Sequence, residues 1–133
     1  KAWGKGDVTK SHTVWQKNFG ATVTSMVVHD GHVYWANNGT AFCVKAADGS
    51  IVYRERLSDG GDFYASPVLA DGKLYYVSRS NGTYVVDAAP KFKELAHNTI
   101  KGDTSIFNAS PAVDGGELLL RSDRFLFCIT RGK

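Results

Sequence analysis

The chain has little of what marks several large classes of protein. Among its 133 residues stand only 3 prolines and 1 methionine, and its 2 cysteines, Cys43 and Cys128, lie in opposite halves. With no Cys-x-x-Cys spacing, neither a disulfide framework nor a zinc site is indicated. No apolar run approaches the roughly 20 residues of a membrane span. The basic start at Lys1 is not followed by an apolar core either, so no span and no signal peptide is expected in this stretch. The formal net charge of +3 comes from scattered Lys and Arg rather than from a block. A nucleic-acid footprint concentrates its positive charge on one face, so no nucleic-acid partner is expected.

What the chain does have is glycine, valine and aromatic residues in short runs. From Tyr64 to Val86 it reads YASPVLADGKLYYVSRSNGTYVV. Val68 to Ala70 and Lys73 to Val77 are strand-like, and Asp71-Gly72 between them suits a two-residue hairpin turn that needs positive φ at both central positions. A second break at Ser80-Asn81-Gly82 leads to a third run, Thr83 to Val86. Three antiparallel strands therefore fit into this stretch.

The unit repeats with a period in the low forties. Ser25-Met26-Val27, Ser66-Pro67-Val68 and Ser110-Pro111-Ala112 open the copies, and Asp30-Gly31, Asp71-Gly72 and Asp114-Gly115 follow as turns. Apolar runs come next, Val33-Tyr34-Trp35, Leu74-Tyr75-Tyr76 and Leu118-Leu119-Leu120. Third strands match as Phe42-Cys43-Val44, Tyr84-Val85-Val86 and Phe127-Cys128-Ile129. Strands and turns alone at this spacing predict four-stranded blades of a β-propeller, an all-β fold. The cysteines take the place that Val85 holds in the middle copy, which predicts a small buried apolar side chain there.

Fourth, outer strands are expected at Ser50 to Leu57 and Phe92 to Ala96, and His12 to Phe19 resembles them without three partners before it. The predicted organisation is an extended leader over 1–11, an outer strand over 12–19, blades over 23–57, 64–97 and 108–129, and a tail over 130–133. The last blade then lacks its outer strand, which the first strand of the chain is able to supply. This phase favours the C-terminal part of a larger propeller over a homo-oligomer that completes the ring from two copies.

The pattern SPVVxDGxLYxxxxxGxxxxxD, seen in Ser66 to Asp87, resembles the PQQ-like propeller repeat of quinoproteins and BamB-like proteins. The resemblance covers roughly Val14 to Ile129 and implies an exported bacterial protein, periplasmic or secreted. The family's dehydrogenases carry a docking signature, AxDxxTGKxxW, whose Trp wedges between blades; Ala46-Ala47-Asp48-Gly49 hints at it, and Trp15 fits the wedge position. Tyr53 and Ala88-Ala89-Pro90 depart from it. The calcium ligands, catalytic Asp and adjacent Cys pair of the quinone enzymes have no match in context. The resemblance therefore implies a non-catalytic scaffold for protein or ligand recognition with no cofactor. A fragment of a dehydrogenase using PQQ with calcium, and a carbohydrate-binding propeller, stand as alternatives.

Within the repeats, chemistry gives way to structure. His29 and His32 flank Asp30, but no further ligand is placed to converge on them. Asp30, Asp71 and Asp114 recur as turn residues, and Ser25, Ser66 and Ser110 recur with no base spaced to activate them, which predicts hydrogen-bonding roles at the inner strands. No catalytic or metal residue is assigned. The copies disagree most in the connections from one blade to the next, which open on one face, and unequal insertions on a single face build binding surfaces. Asp59, Asp62, Phe63, Tyr64, Lys101, Asp103 and Phe107 are the candidate binding residues for a protein partner or small ligand.

Overall fold

The structure, a computed structural model, describes residues 4–131. Its first sheet holds β1 (Val27–His29), β2 (His32–Asn37), β3 (Thr40–Lys45) and β4 (Ile51–Arg56), each antiparallel to the next. The second repeats that order with β5 (Val68–Ala70), β6 (Lys73–Val77), β7 (Thr83–Asp87) and β8 (Glu94–Asn98). The third has β9 (Ala112–Asp114), β10 (Glu117–Arg121) and β11 (Leu126–Ile129), with β11 at its edge. These are three blades of a propeller. The repeat extends to irregularities, since the ladder shifts between Cys43 and Val44 in one blade and between Val85 and Val86 in the next.

Asp30 and Gly31 have φ of 45° and 72°, and Asp71 and Gly72 have 49° and 67°, as the two-residue hairpin requires. The third copy corrects the expected Asp114-Gly115 turn by one residue. Asp114 pairs with Glu117 inside the ladder, so the central positions are Gly115 and Gly116, with φ of 54° and 85°. Two glycines meet the backbone demand without any Cβ penalty, and the Asp falls into the strand.

The serine landmarks join the blades. The Ser25 N–H donates to Ser66 Oγ at 2.9 Å, and the Ser66 N–H donates to Ser110 Oγ at 3.0 Å. Each short inner strand is thus tied to the next by a side chain that the repeat supplies at one position.

The N-terminal stretch departs from its expected form. Thr9–His12 is a short helix, α1, so the leader is not extended throughout, and its first three residues lie outside those described. The outer strand expected over 12–19 is absent: His12 ends α1, and residues 13–19 belong to no ladder and do not pair with β11. A strand exists only through a partner, and this segment is held by side chains instead. Trp15 Nε1 donates to the Ala46 carbonyl at 2.9 Å, and Phe19 packs on Trp35 with ring centroids 5.7 Å apart. A Cβ on Gly49 would stand 2.7 Å from the Trp15 ring, so the glycine makes room for the wedge. The last two residues of the tail, like Trp3, lie outside the described residues.

Two joints separate the three blades. In the first, Tyr34, Cys43 and Tyr53 form one cross-strand row facing Leu74, Tyr76, Tyr84 and Val86 of the second blade, all buried. In the second, Val77 and Phe107 meet Leu118, Leu120 and Phe127. Cys43 is buried, whereas Cys128, equivalent in register, is exposed because no described residue covers the far face of the third sheet.

Candidate functional site

The site is built where blade-to-blade connections meet the turns between second and third strands. Leu57 and Gly60 close one connection's first turn through a 3.1 Å backbone bond, and Ile100 and Asp103 repeat it in the next at 3.1 Å. The two turns make Leu57 and Ile100, and Ser58 and Lys101, equivalent positions.

The candidates divide by burial. Phe63 and Phe107 are core residues, 3% and 9% exposed, and correct the expectation that both belong to a binding surface. Each anchors a connection from beneath: Phe63 meets Tyr76 and Tyr84 edge-on, and Phe107 stacks near Phe127. Burial of an aromatic ring is the largest favourable term available to such a loop, so both rings turn inward.

Asp59, Asp62 and Tyr64 lie exposed on the first connection. Asp59 Oδ2 is 3.1 Å from His97 Nδ1, the other ring nitrogen faces the Asn81 carbonyl, and the imidazole stacks on Tyr84 at 4.1 Å. Tyr84 in turn donates its hydroxyl to the Gly60 carbonyl at 2.8 Å, and its pKa is raised, burial being the largest cause. The Asp62 carbonyl accepts the Arg79 N–H at 2.9 Å. Arg79 then lays its guanidinium over the Tyr64 ring, 4.3 Å from the centroid, and donates from Nε to Asn108 Oδ1 at 2.9 Å.

Lys101 and Asp103 belong to the second connection. Lys101 is exposed. Asp103 accepts the Ser105 N–H at 3.2 Å and its hydroxyl at 2.7 Å. Beneath them a cavity of about 460 Å³ runs into the second joint, lined by Val85, Asp103, Phe107, Leu118, Leu120 and Ile129 among others. The structure therefore gathers Asp59, Asp62 and Tyr64 into one cluster and places Asp103 and Phe107 at a separate cavity.

Arg79, Asn81, His97 and Asn108 join the candidate surface through contacts with Asp59 and Tyr64 and with one another, and sequence reasoning missed them. A signal was present. Asn38-Gly39 closes its hairpin in two residues, but five, Ser78 to Gly82, separate β6 from β7, so this turn had length to spare for contacts. Turns of this kind open on the same face as the connections, as the Arg79 to Asp62 bond shows.

Among the described residues no three His, Cys, Asp or Glu side chains come together, and the two cysteines occupy different blades.

Comparisons with known proteins agree with this architecture. A search of solved structures finds BamB from Moraxella catarrhalis, with TM-score 0.58 and 17% identity over 73% of this chain. The chain spans about 29% of the length of that protein. Among curated proteins no match is found. The model of the family described as "Outer membrane protein assembly factor BamB" matches residues 5–124. With strand order, blade repeat and nearly the whole described length accounted for, the chain belongs to the BamB-like family of PQQ-like repeat propellers.

Proposed function

We propose that this chain is a non-catalytic propeller module that recognises protein through the face carrying Asp59, Asp62, Tyr64 and Arg79, in an extracytoplasmic bacterial setting. The observation that carries the reading is the Tyr64–Arg79–Asn108 group. Tyr64 is 40% exposed, and Arg79 is held over it by its Nε bond to Asn108 and its backbone bond to Asp62. Tyr and Arg are the residue types that dominate interface energetics, and a pre-ordered pair has less freedom to lose on binding. Asp59 and Asp62 beside them add negative charge at the rim.

Family membership names the substrate class to try, the outer-membrane proteins whose assembly the family's description invokes. The test uses a fluorescent outer-membrane β-barrel protein diluted from urea. Saturable binding to this chain is expected, weakened about tenfold by Tyr64→Ala or Arg79→Ala, in the range of an interface hot spot. No saturation, or saturation indifferent to both substitutions, removes the reading. Adding PQQ with calcium is expected to leave visible absorption unchanged; a bound chromophore would instead favour the dehydrogenase alternative.

A further inference from the structure

Arg79 stands in the turn between β6 and β7, and both of the connections that flank it are in place. Its N–H donates to the Asp62 carbonyl and its carbonyl accepts the Phe107 N–H, each at 2.9 Å. The backbone is therefore pinned from either side. Its guanidinium lies over the exposed Tyr64 ring, 4.3 Å from the centroid, and its Nε donates to Asn108 Oδ1 at 2.9 Å. A planar fork with one face on a ring and its Nε occupied keeps one edge free, the pair of Nη groups at its end. Those two groups match the spacing of the two oxygens of a carboxylate.

Among the described residues three ion pairs occur, His29–Asp30, Lys73–Asp71 and His97–Asp59, and none includes Arg79. The acidic residues of this face are engaged elsewhere. Asp59 meets His97, Asp103 accepts the Ser105 N–H and hydroxyl, and Asp123 accepts the Ile106 N–H at 2.9 Å. Asp62 offers Arg79 its carbonyl rather than its carboxylate. A half-buried guanidinium has thus given up part of its hydration without the anion that would compensate for it. The blade itself does not call for arginine here. Asp123 holds the equivalent position in the next blade, its N–H donating to the Ile106 carbonyl as that of Arg79 does to Asp62, so a residue of opposite charge satisfies the same turn.

We infer that Arg79, oriented by Tyr64 and Asn108, is the subsite for a carboxylate of the recognised polypeptide, whose two oxygens accept from the two Nη groups. This subsite lies within the recognition face proposed above and rests on that reading, to which it adds the chemistry that the face selects. Asn108 is a positioning residue, because its amide oxygen fixes the rotation of the guanidinium over the Tyr64 ring. A carboxylate fits better than a phosphate dianion, since Asp59 and Asp62 on the adjoining connection repel the second charge. Lysine would not serve equally, because an ammonium is a point charge without the fork.

The test uses the whole chain and the fluorescent outer-membrane β-barrel protein diluted from urea, in two forms: one with its carboxylates intact and one with them converted to neutral amides by carbodiimide coupling to methylamine. Amidation is expected to weaken binding to the parent chain about tenfold, as loss of a bidentate charged pair does. On Arg79→Gln the two forms bind equally, since the group that tells them apart is gone. Arg79→Lys keeps the charge without the fork and discriminates only about threefold. Asn108→Asp sets the chain's own carboxylate against Nε and lowers the discrimination to about threefold as well. Retained circular dichroism in each variant shows that the blades are intact. The subsite is overturned if amidation weakens binding to the parent and to Arg79→Gln alike, or weakens neither; binding that Tyr64→Ala still reduces would then leave the recognition face standing. Absence of saturation with the unmodified form removes both.

Discussion

The two joints start from the same strand register and end in different states, and the difference lies in a few side chains. In the first, Tyr34, Cys43 and Tyr53 cross the sheet as one row and are met by Tyr76, while Phe92 closes the outside. In the second, the same row reads Tyr75, Val85 and Ala96, and Leu120 stands where Tyr76 stood. Ring volume lost at Leu120, which lines the cavity, leaves space that no backbone shift recovers, because each sheet is fixed by its own ladder. The comparison teaches that propeller topology sets where blades meet, and side-chain volume sets whether the meeting is sealed or open.

The sealed joint also carries polar groups that the open one does not. The hydroxyls of Tyr34, Tyr53 and Tyr76 are buried without a hydrogen-bond partner. Burial, as the leading cause, raises the pKa of all three, and the Cys43 thiol nearby adds to the effect. Since the folded values lie above the ordinary tyrosine value near 10, the stability these phenols contribute is complete below that pH and is lost as pH rises through the folded values. The largest expected effect follows: alkaline titration unfolds the first joint as the three phenols ionise together. Absorbance at 295 nm and circular dichroism should change in step for these groups; ionisation of all tyrosines ahead of unfolding would contradict the sealed state.

Next in size, Tyr76→Ala should cost about 3–5 kcal/mol, against about 2–3 kcal/mol for Leu120→Ala, whose surroundings already contain free volume. Urea denaturation of both variants checks the order, and equal losses would erase the distinction between the joints. Leu120→Phe sharpens it from the other side, because Leu120 lines the cavity. Filling part of the cavity should stabilise the chain by roughly 1 kcal/mol, seen as a higher urea midpoint.

The smallest effects concern what the joints share. Ser66→Ala leaves the Ser25 N–H without its acceptor, and Ser110→Ala does the same to the Ser66 N–H, so each should cost about 1 kcal/mol. Ser25→Ala should cost nothing measurable, because no described N–H donates to its hydroxyl. A loss at Ser25 matching that at Ser66 would mean the serine ladder does not act through these bonds.

Much of this was legible before any coordinates. The Asp30-Gly31 and Asp71-Gly72 turns follow from local φ requirements, most of the strands from short β-branched and aromatic runs, and the serine positions from their recurrence. Trp15 was readable as a wedge through the docking signature that it resembles, and in the structure its indole N–H meets the Ala46 carbonyl while its ring lies over Gly49. Other features were not legible. Residues 12–19 have the composition of a strand, yet a strand is a relation between two segments, and their alternation says nothing about whether a partner is present. Phe63 and Phe107 read as variable-loop aromatics because burial is decided by which surface lies beneath the loop.

What the sequence determined by itself was therefore everything that depends on neighbours a few residues away: turn type, strand alternation, the blade period and the family it belongs to. Tertiary structure alone decided which faces meet, and with that the inward turn of two aromatic rings, the pairing of Arg79 with Tyr64, and the cavity above Leu120. The physical reason is that backbone preferences act locally, whereas packing volume and the pairing of strand edges depend on segments that the chain brings together only once it has folded.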